Sequence, residues 1–277
     1  MAPLTLVINR ASGTFERSDG DALQQSLKTH PAVSDVWPLD DGLADRIRDA
    51  KPEAIAIAGG DGTIHAVTDL VWQSEADISL LPLPLGTANL LVKRLYGDQD
   101  AMALLDKAEA APVRLVRPGL AGDTPFLVAA ALGFPTTLAR AREKLRDPDG
   151  PPPFPSFSRR VWASLQQAFK PRMHYRTDAT TPGYHRASGL YLDLDALDDD
   201  DFSLVQLHWR ELRDMALTGL SLFGTDTGRP EPLSRTHELI ATARRPLAVM
   251  LDGEPSFVPG PLTFRRADRP LKILDCR

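Results

Sequence analysis

The sequence predicts two domains: an α/β domain on a parallel sheet over residues 1–113, and a β-rich, mostly antiparallel domain over 114–277. The last strand is left open to return to the first domain. Two observations predict this division. In the first third, apolar strand-like runs alternate strictly with helix-like segments, the signature of a parallel sheet covered on both faces. Beyond about residue 111 the alternation gives way to short strand-like runs separated by turn residues. A chain of 277 residues is long enough for two ordinary domains.

The elements follow in order. Residues 4–9 (LTLVIN) are a short apolar run bounded by polar residues, read as a buried strand. A helix is expected over 21–29 and a strand over 33–39. A second helix over 43–50 carries Leu43, Ala44 and Ile47 on one face and is stopped by Pro52. Then come a strand over 54–58 (AIAIA), a helix over 64–72, a strand over 79–83 and a helix over 88–95. Strands are expected after that at 114–116, 126–132, 190–194, 203–207, 238–243, 247–251 and 271–274. Helices are expected at 138–145 and 160–169, and a proline-rich surface loop at 147–155. Parallel sheets bind ligands at loops beyond the carboxyl ends of their strands, so the loops at 10–14, 59–63 and 84–87 are the places to look for a site.

Composition narrows the function. Hydrophobic residues make up 43% and charged residues 25%, globular values, and the net charge of −5 is not that of a nucleic-acid binder. The lone cysteine, Cys276, can form neither an internal disulfide nor a zinc cluster, which fits a reducing cytoplasm. No signal-peptide pattern and no apolar run long enough to span a bilayer is evident, so membrane contact is expected to be peripheral.

The most informative segment is Gly59-Gly60-Asp61-Gly62-Thr63, between the AIAIA strand and the next helix. Glycines allow the backbone to approach a ligand closely, and N–H groups at a helix start favour phosphate. An acid beside a phosphate site is repelled unless a cation lies between, so Asp61 points to Mg²⁺ or to proton transfer. Thr63 can reach a phosphate oxygen or cap the helix. Two further small motifs lie at the other strand ends: Asn9-Arg10-Ala11-Ser12-Gly13, and Leu83-Pro84-Leu85-Gly86-Thr87-Ala88-Asn89. A fourth, Leu251-Asp252-Gly253-Glu254, lies near the C-terminus, where Asp-Gly is also a preferred hairpin pair.

Taken in order, these four motifs resemble the diacylglycerol kinase catalytic family, which includes sphingosine kinases and bacterial lipid kinases. NAD kinases share the glycine motif but generally lack the Pro-x-Gly-Thr-x-Asn form. Arg10 stands where the family has proline. The resemblance implies an NAD kinase/diacylglycerol kinase-like α/β domain, a β-sandwich as second domain, and an active site in the cleft between them. It implies ATP as phosphate donor, held by Gly59, Gly60, Gly62 and Thr63, with Asn9, Ser12, Gly86, Thr87 and Asn89 around it. It also implies Mg²⁺, with Asp61 as its ligand. Asp61, Asp252 and Glu254 are the candidate catalytic acids. Glu254 is favoured as base and Asp61 for the metal, although the sequence does not divide the labour among the three.

The chain departs from the family pattern in two further places. Where the family has Gly-Phe-Asp-Ala, it reads Gly133-Phe134-Pro135-Thr136, without the acid. The acidic stretch 193–201 aligns with a loop that holds a structural magnesium in some bacterial members, but Asp201 and Ser203 replace that loop's glycine and last acid. Separately, residues 150–177 contain no acid but carry Arg159, Arg160, Lys170, Arg172 and Arg176, with Trp162, Leu165 and Phe169 at helical spacing. This suits either an anionic membrane surface or a helix packed on the second domain. The expected function is an ATP-dependent lipid kinase, cytoplasmic and peripheral to the inner face of the membrane, with no nucleic-acid partner. A homodimer is compatible with the sequence. The alternatives are a kinase of a soluble hydroxyl acceptor such as NAD, and a non-catalytic nucleotide- or lipid-binding module.

Overall fold

A computed structural model describes residues 4–9, 20–133, 173–178, 182–194, 199–207 and 234–277. The expected helices at 138–145 and 160–169, the loop at 147–155, Phe134 to Thr136 and the basic stretch up to Arg172 lie outside the described residues. So do Arg10 to Gly13, Ser12 among them, and residues 195–198 of the acidic stretch. The chain divides into two units, Met1–Pro118 with Ala267–Arg277, and Gly119–Arg266.

The first unit carries one six-stranded sheet. Its strands are β1 (Leu4–Ile8), β2 (Val33–Pro38), β3 (Ala54–Gly59), β4 (Ser79–Pro84), β5 (Val113–Val116) and β18 (Leu271–Leu274). They lie in the order β2-β1-β3-β4-β18-β5. Strands β1, β3 and β4 are buried almost throughout, which is why they read as largely apolar runs. All neighbours pair in parallel except β5, which runs antiparallel to β18.

The returning strand corrects the expected boundary at residue 113. β5 does not open the second domain but closes the first sheet, and the first unit runs on to Pro118. As an edge strand β5 exposes Val113 and Leu115 and buries Val116, an alternation that reads the same in either kind of sheet. Arg269 fastens the return: its guanidinium lies 4.0 Å from the centre of the Trp72 ring and donates to the Trp72 carbonyl. Tyr96 Oη donates to the Leu274 carbonyl at 2.7 Å, and burial pushes its phenol pKa well up.

Helices α1 (Gly20–Lys28), α2 (Leu43–Ala50), α3 (Asp61–Ser74) and α4 (Leu90–Tyr96) fall near their expected positions. A further helix, α5 (Ala101–Ala108), adds to the expected set. It is capped by Asp100, whose carboxylate accepts the Ala103 N–H at 2.9 Å, and it buries Ala101, Leu104, Leu105 and Ala108 on one face. Helix α3 starts three residues earlier than expected. Asp61, Gly62 and Thr63 are thus its first turn rather than a loop ahead of it.

The second unit is two antiparallel sheets around one apolar core. The strands of the first are β6 (Gly119–Ala121), β7 (Thr124–Phe126), β9 (Met173–Thr177), β10 (His185–Ala187), β14 (Glu238–Ala243) and β17 (Leu262–Arg266). Those of the second are β8 (Ala129–Gly133), β11 (Gly189–Asp193), β12 (Phe202–Leu207), β13 (Ser234–Thr236), β15 (Leu247–Leu251) and β16 (Glu254–Val258). The orders are β10-β9-β14-β17-β6-β7 and β13-β12-β11-β8-β15-β16. Residues from both sheets fill the core, with the Phe126 and Phe202 rings stacked at 5.9 Å and Phe264 edge-on to Phe126.

The single strand expected over 126–132 is two strands in different sheets. The chain crosses from β7 to β8 at Leu127 and Val128, and both are buried, so hydropathy hides the break. Strands β9 and β17 do not stand out in the sequence because they alternate apolar residues with threonine, arginine or histidine instead of running apolar.

Candidate functional site

The first unit gathers three strand ends. Asn9 follows β1, Gly60 separates β3 from α3, and residues 85–89 link β4 to α4. Contacts among the motif residues lock these ends together.

Gly60 is the N-cap of α3, with extended backbone (φ −83°, ψ −175°) and no side chain to cap the helix. Its carbonyl accepts the Ile64 N–H at 3.0 Å. The first turn of a 14-residue helix is therefore left without a side-chain cap, at the carboxyl end of a parallel strand. Gly59 and Thr63 face each other across this turn. A Cβ on Gly59 would lie 2.4 Å from the Cβ of Thr63, so only glycine lets Thr63 pack there. Thr63 is buried, and its Oγ1 accepts the Asn9 Nδ2 hydrogen at 2.9 Å. The structure thus makes the Thr63 side chain a brace beneath the turn, with Asn9 tied to it.

Gly86 meets Gly60 backbone to backbone. A Cβ on Gly86 would fall 2.7 Å from the Gly60 Cα and 2.8 Å from Asn89 Oδ1. Asn89 Oδ1 accepts the Gly86 N–H at 2.6 Å, and Asn89 itself is left-handed (φ 50°), a conformation asparagine tolerates better than most residues. The Thr87 side chain is exposed beside this turn.

Asp61 completes the lock. Its Oδ2 accepts the Asn89 N–H at 3.0 Å and its Oδ1 the Leu90 N–H at 2.8 Å. Helix α4 has no side-chain cap of its own, and a carboxylate from the neighbouring turn takes that part. Mg²⁺ is commonly held by one or two carboxylates, with nucleotide phosphates and water supplying the rest. Backbone N–H groups at an uncapped helix start and a carboxylate beside them are the donor types that nucleotide phosphates and Mg²⁺ take.

In the second unit, Asp252 and Gly253 form a two-residue hairpin turn between β15 and β16, both with positive φ (50° and 98°). The Asp252 carboxylate turns inward, and the residue is 8% exposed. Its Oδ2 accepts the Leu127 N–H at 2.7 Å, and its Oδ1 accepts those of Val128 at 2.7 Å and Ala129 at 3.0 Å. Glu254, the first residue of β16, pairs with Leu251 across the hairpin and is exposed. Of the two acids of this motif, one is anchored to the backbone and the other faces outward. The anchoring amides belong to Leu127, Val128 and Ala129, and main-chain groups leave no signature in a sequence.

Two of the described acids of the 193–201 stretch, Asp199 and Asp201, face basic partners. Asp199 pairs with Arg235, which holds its carboxyl below the usual range, and Asp201 Oδ1 lies 2.5 Å from His237 Nδ1. Arg266 Nε donates to the Asp199 carbonyl at 2.7 Å. Among the described residues, no group of three or more His, Cys, Asp or Glu side chains converges on a metal position.

The three strand ends of the first unit thus form one cross-braced set of turns. Residues 3–119 match the family model of the diacylglycerol kinase catalytic domain. The whole chain is similar in fold to a structure described as a diacylglycerol kinase from Bacillus anthracis str. Sterne. The identity is 16% and the TM-score 0.69, covering 99% of this chain and 97% of that one. A second structure from the same organism, described as a candidate diacylglycerol kinase, aligns with 18% identity and TM-score 0.67 over 99% and 97% of the two chains. A third aligns with 17% identity and TM-score 0.68 over 99% and 96%. No curated protein sequence matches the chain significantly.

Proposed function

We propose that this protein is a kinase that uses ATP and Mg²⁺ to phosphorylate a lipid hydroxyl of the diacylglycerol or sphingoid type. The observation that carries this reading is the cross-braced pair of turns at Gly60 and Gly86, inside the segment that matches the diacylglycerol kinase catalytic domain. Phosphoryl transfer is catalysed chiefly by positioning and by charge neutralisation. Backbone N–H groups at the start of α3 bind and orient the phosphates, and Asn9 and Thr63 keep that turn in place. Asp61 holds the metal while fixing α4. Bound Mg²⁺ supplies neutralisation of the transferred group's charge. Glu254 accepts the proton of the attacking hydroxyl. Among the described residues no helix is long and apolar enough to cross a membrane. A lipid acceptor would require the enzyme to work at a bilayer surface, and we place it there.

The test is phosphate transfer from labelled ATP with Mg²⁺ into mixed micelles of diacylglycerol, monoacylglycerol, sphingosine and ceramide, with NAD as a soluble control. A labelled lipid that disappears in Asp61→Asn and Glu254→Gln supports the reading. Label on NAD alone moves the acceptor to the soluble class. ATP binding without transfer to any acceptor makes the protein a non-catalytic module.

A further inference from the structure

We propose that Asp252 is a positioning residue that fixes Glu254, and not itself an acid or base. This rests on the kinase reading above and assigns the two acids of the second unit to separate tasks.

Three geometric facts separate them. First, both Asp252 oxygens face backbone donors, and the side chain is buried. Second, the bond set runs in both directions, since the Asp252 N–H donates to the Ala129 carbonyl at 2.9 Å. Asp252 and Ala129 are thus joined by main chain and side chain together. Third, the bonded segment is the crossing where the chain passes from one sheet to the other, and β8, which it opens, lies beside β15 in the sheet. The hairpin is therefore bolted to its own sheet at the tip, where hairpins ordinarily fray.

An Asp-Gly pair makes a tight hairpin turn without help from its side chain. Three bonds from one carboxylate exceed what the turn needs. What they add is a fixed register and aim for Glu254, two positions on. A slip of one residue would send Glu254 to the opposite face of the sheet.

The experiment compares wild type, Asp252→Asn and Glu254→Gln. Asparagine tolerates the left-handed backbone but turns an N–H₂ group towards the amide donors. For Asp252→Asn we expect kcat on the lipid acceptor to fall about 10- to 100-fold, the scale of a small misplacement of a reacting group. KM for ATP should stay within about twofold, and the pH–rate limb should keep its place. Glu254→Gln should remove that limb. Amide hydrogen exchange should quicken in Asp252→Asn at 127–129 and at 253–256 together, with the first unit unchanged. The proposal is overturned if Asp252→Asn shifts the pH limb, if it leaves kcat untouched, or if faster exchange stops at 129. Should the wild type phosphorylate nothing, the kinase reading fails separately, and the exchange pattern still decides whether Asp252 holds the hairpin.

Discussion

The two units build their motifs by opposite means. In the first, backbone dominates: glycines at 59, 60 and 86 let the chain pack closely at the turns, and side chains serve as braces. In the second, one carboxylate holds a hairpin against a crossing segment, and the exposed acid beside it carries the proposed chemistry. A phosphate needs only N–H donors and close approach, whereas proton transfer needs one group held at one place. Substitutions in the two units should therefore fail differently, the first losing nucleotide and the second losing turnover.

The largest effect is expected at Glu254. Glu254→Gln should lower lipid phosphorylation about 10²- to 10⁴-fold, the range for a lost general base, while calorimetric ATP affinity stays within about twofold. An equal loss of ATP binding would erase the distinction between the units. Gly86→Ala should do the reverse. Its Cβ would sit 2.7 Å from the Gly60 Cα, a main-chain atom that cannot swing aside as a side chain can. We expect about 1–3 kcal/mol of lost stability from overpacking, and ATP affinity weakened by at least about tenfold (~1.4 kcal/mol), read by calorimetry and thermal melting. Unchanged affinity would show that the two turns do not act as one cradle.

Much of the first unit was legible because its physics is local. Buried parallel strands are largely apolar, as β1 and β3 are, and a glycine cluster between strand and helix marks a close backbone approach. The motif residues Asn9, Thr63 and Asn89 were visible, but their tasks were not. Thr63 reads as a hydroxyl for a phosphate oxygen or as a helix cap, and only packing shows it buried against Gly59 with Asn9 bonded to it. Asp252 reads as an acid, and its anchoring role depends on amides as far as 125 positions earlier in the chain. The end of the first unit escaped for a similar reason. Nothing local to residues 113–116 tells that residues 271–274 will lie beside them.

Within the first unit, bracing should cost less than touching. Thr63→Val keeps the shape but removes the acceptor of the Asn9 amide, a bond worth about 1 kcal/mol. We expect a small fall in melting temperature and ATP affinity weakened by about two- to fivefold, that energy or less. Asn9→Ala should match it, and the double variant should be no worse than either single one if the two act through their shared bond. Strict additivity would break that pairing.

The smallest effect probes the tail that completes the first sheet. Cys276 follows β18 and is buried, and its carbonyl accepts from Gln99 Nε2 at 3.2 Å and Lys107 Nζ at 3.3 Å. Burial, with the nearby Asp275 charge, pushes the thiol up to about 11, and Lys107 offsets this only in part. The thiolate is the reactive form, so at about pH 8 roughly one molecule in a thousand is poised to react, against about a quarter for a free thiol near 8.5. Iodoacetamide labelling followed by mass spectrometry should therefore run at least about 100-fold slower in the native protein than in urea. Its rate should climb about tenfold per pH unit towards the thiol's own pKa, because each unit releases about ten times more thiolate until the group is half ionised. Fast native labelling at about pH 8 would mean that the tail leaves the sheet readily. Strand β5, which among the described residues pairs in that sheet with β18 alone, should then lose its amide protection at the same rate.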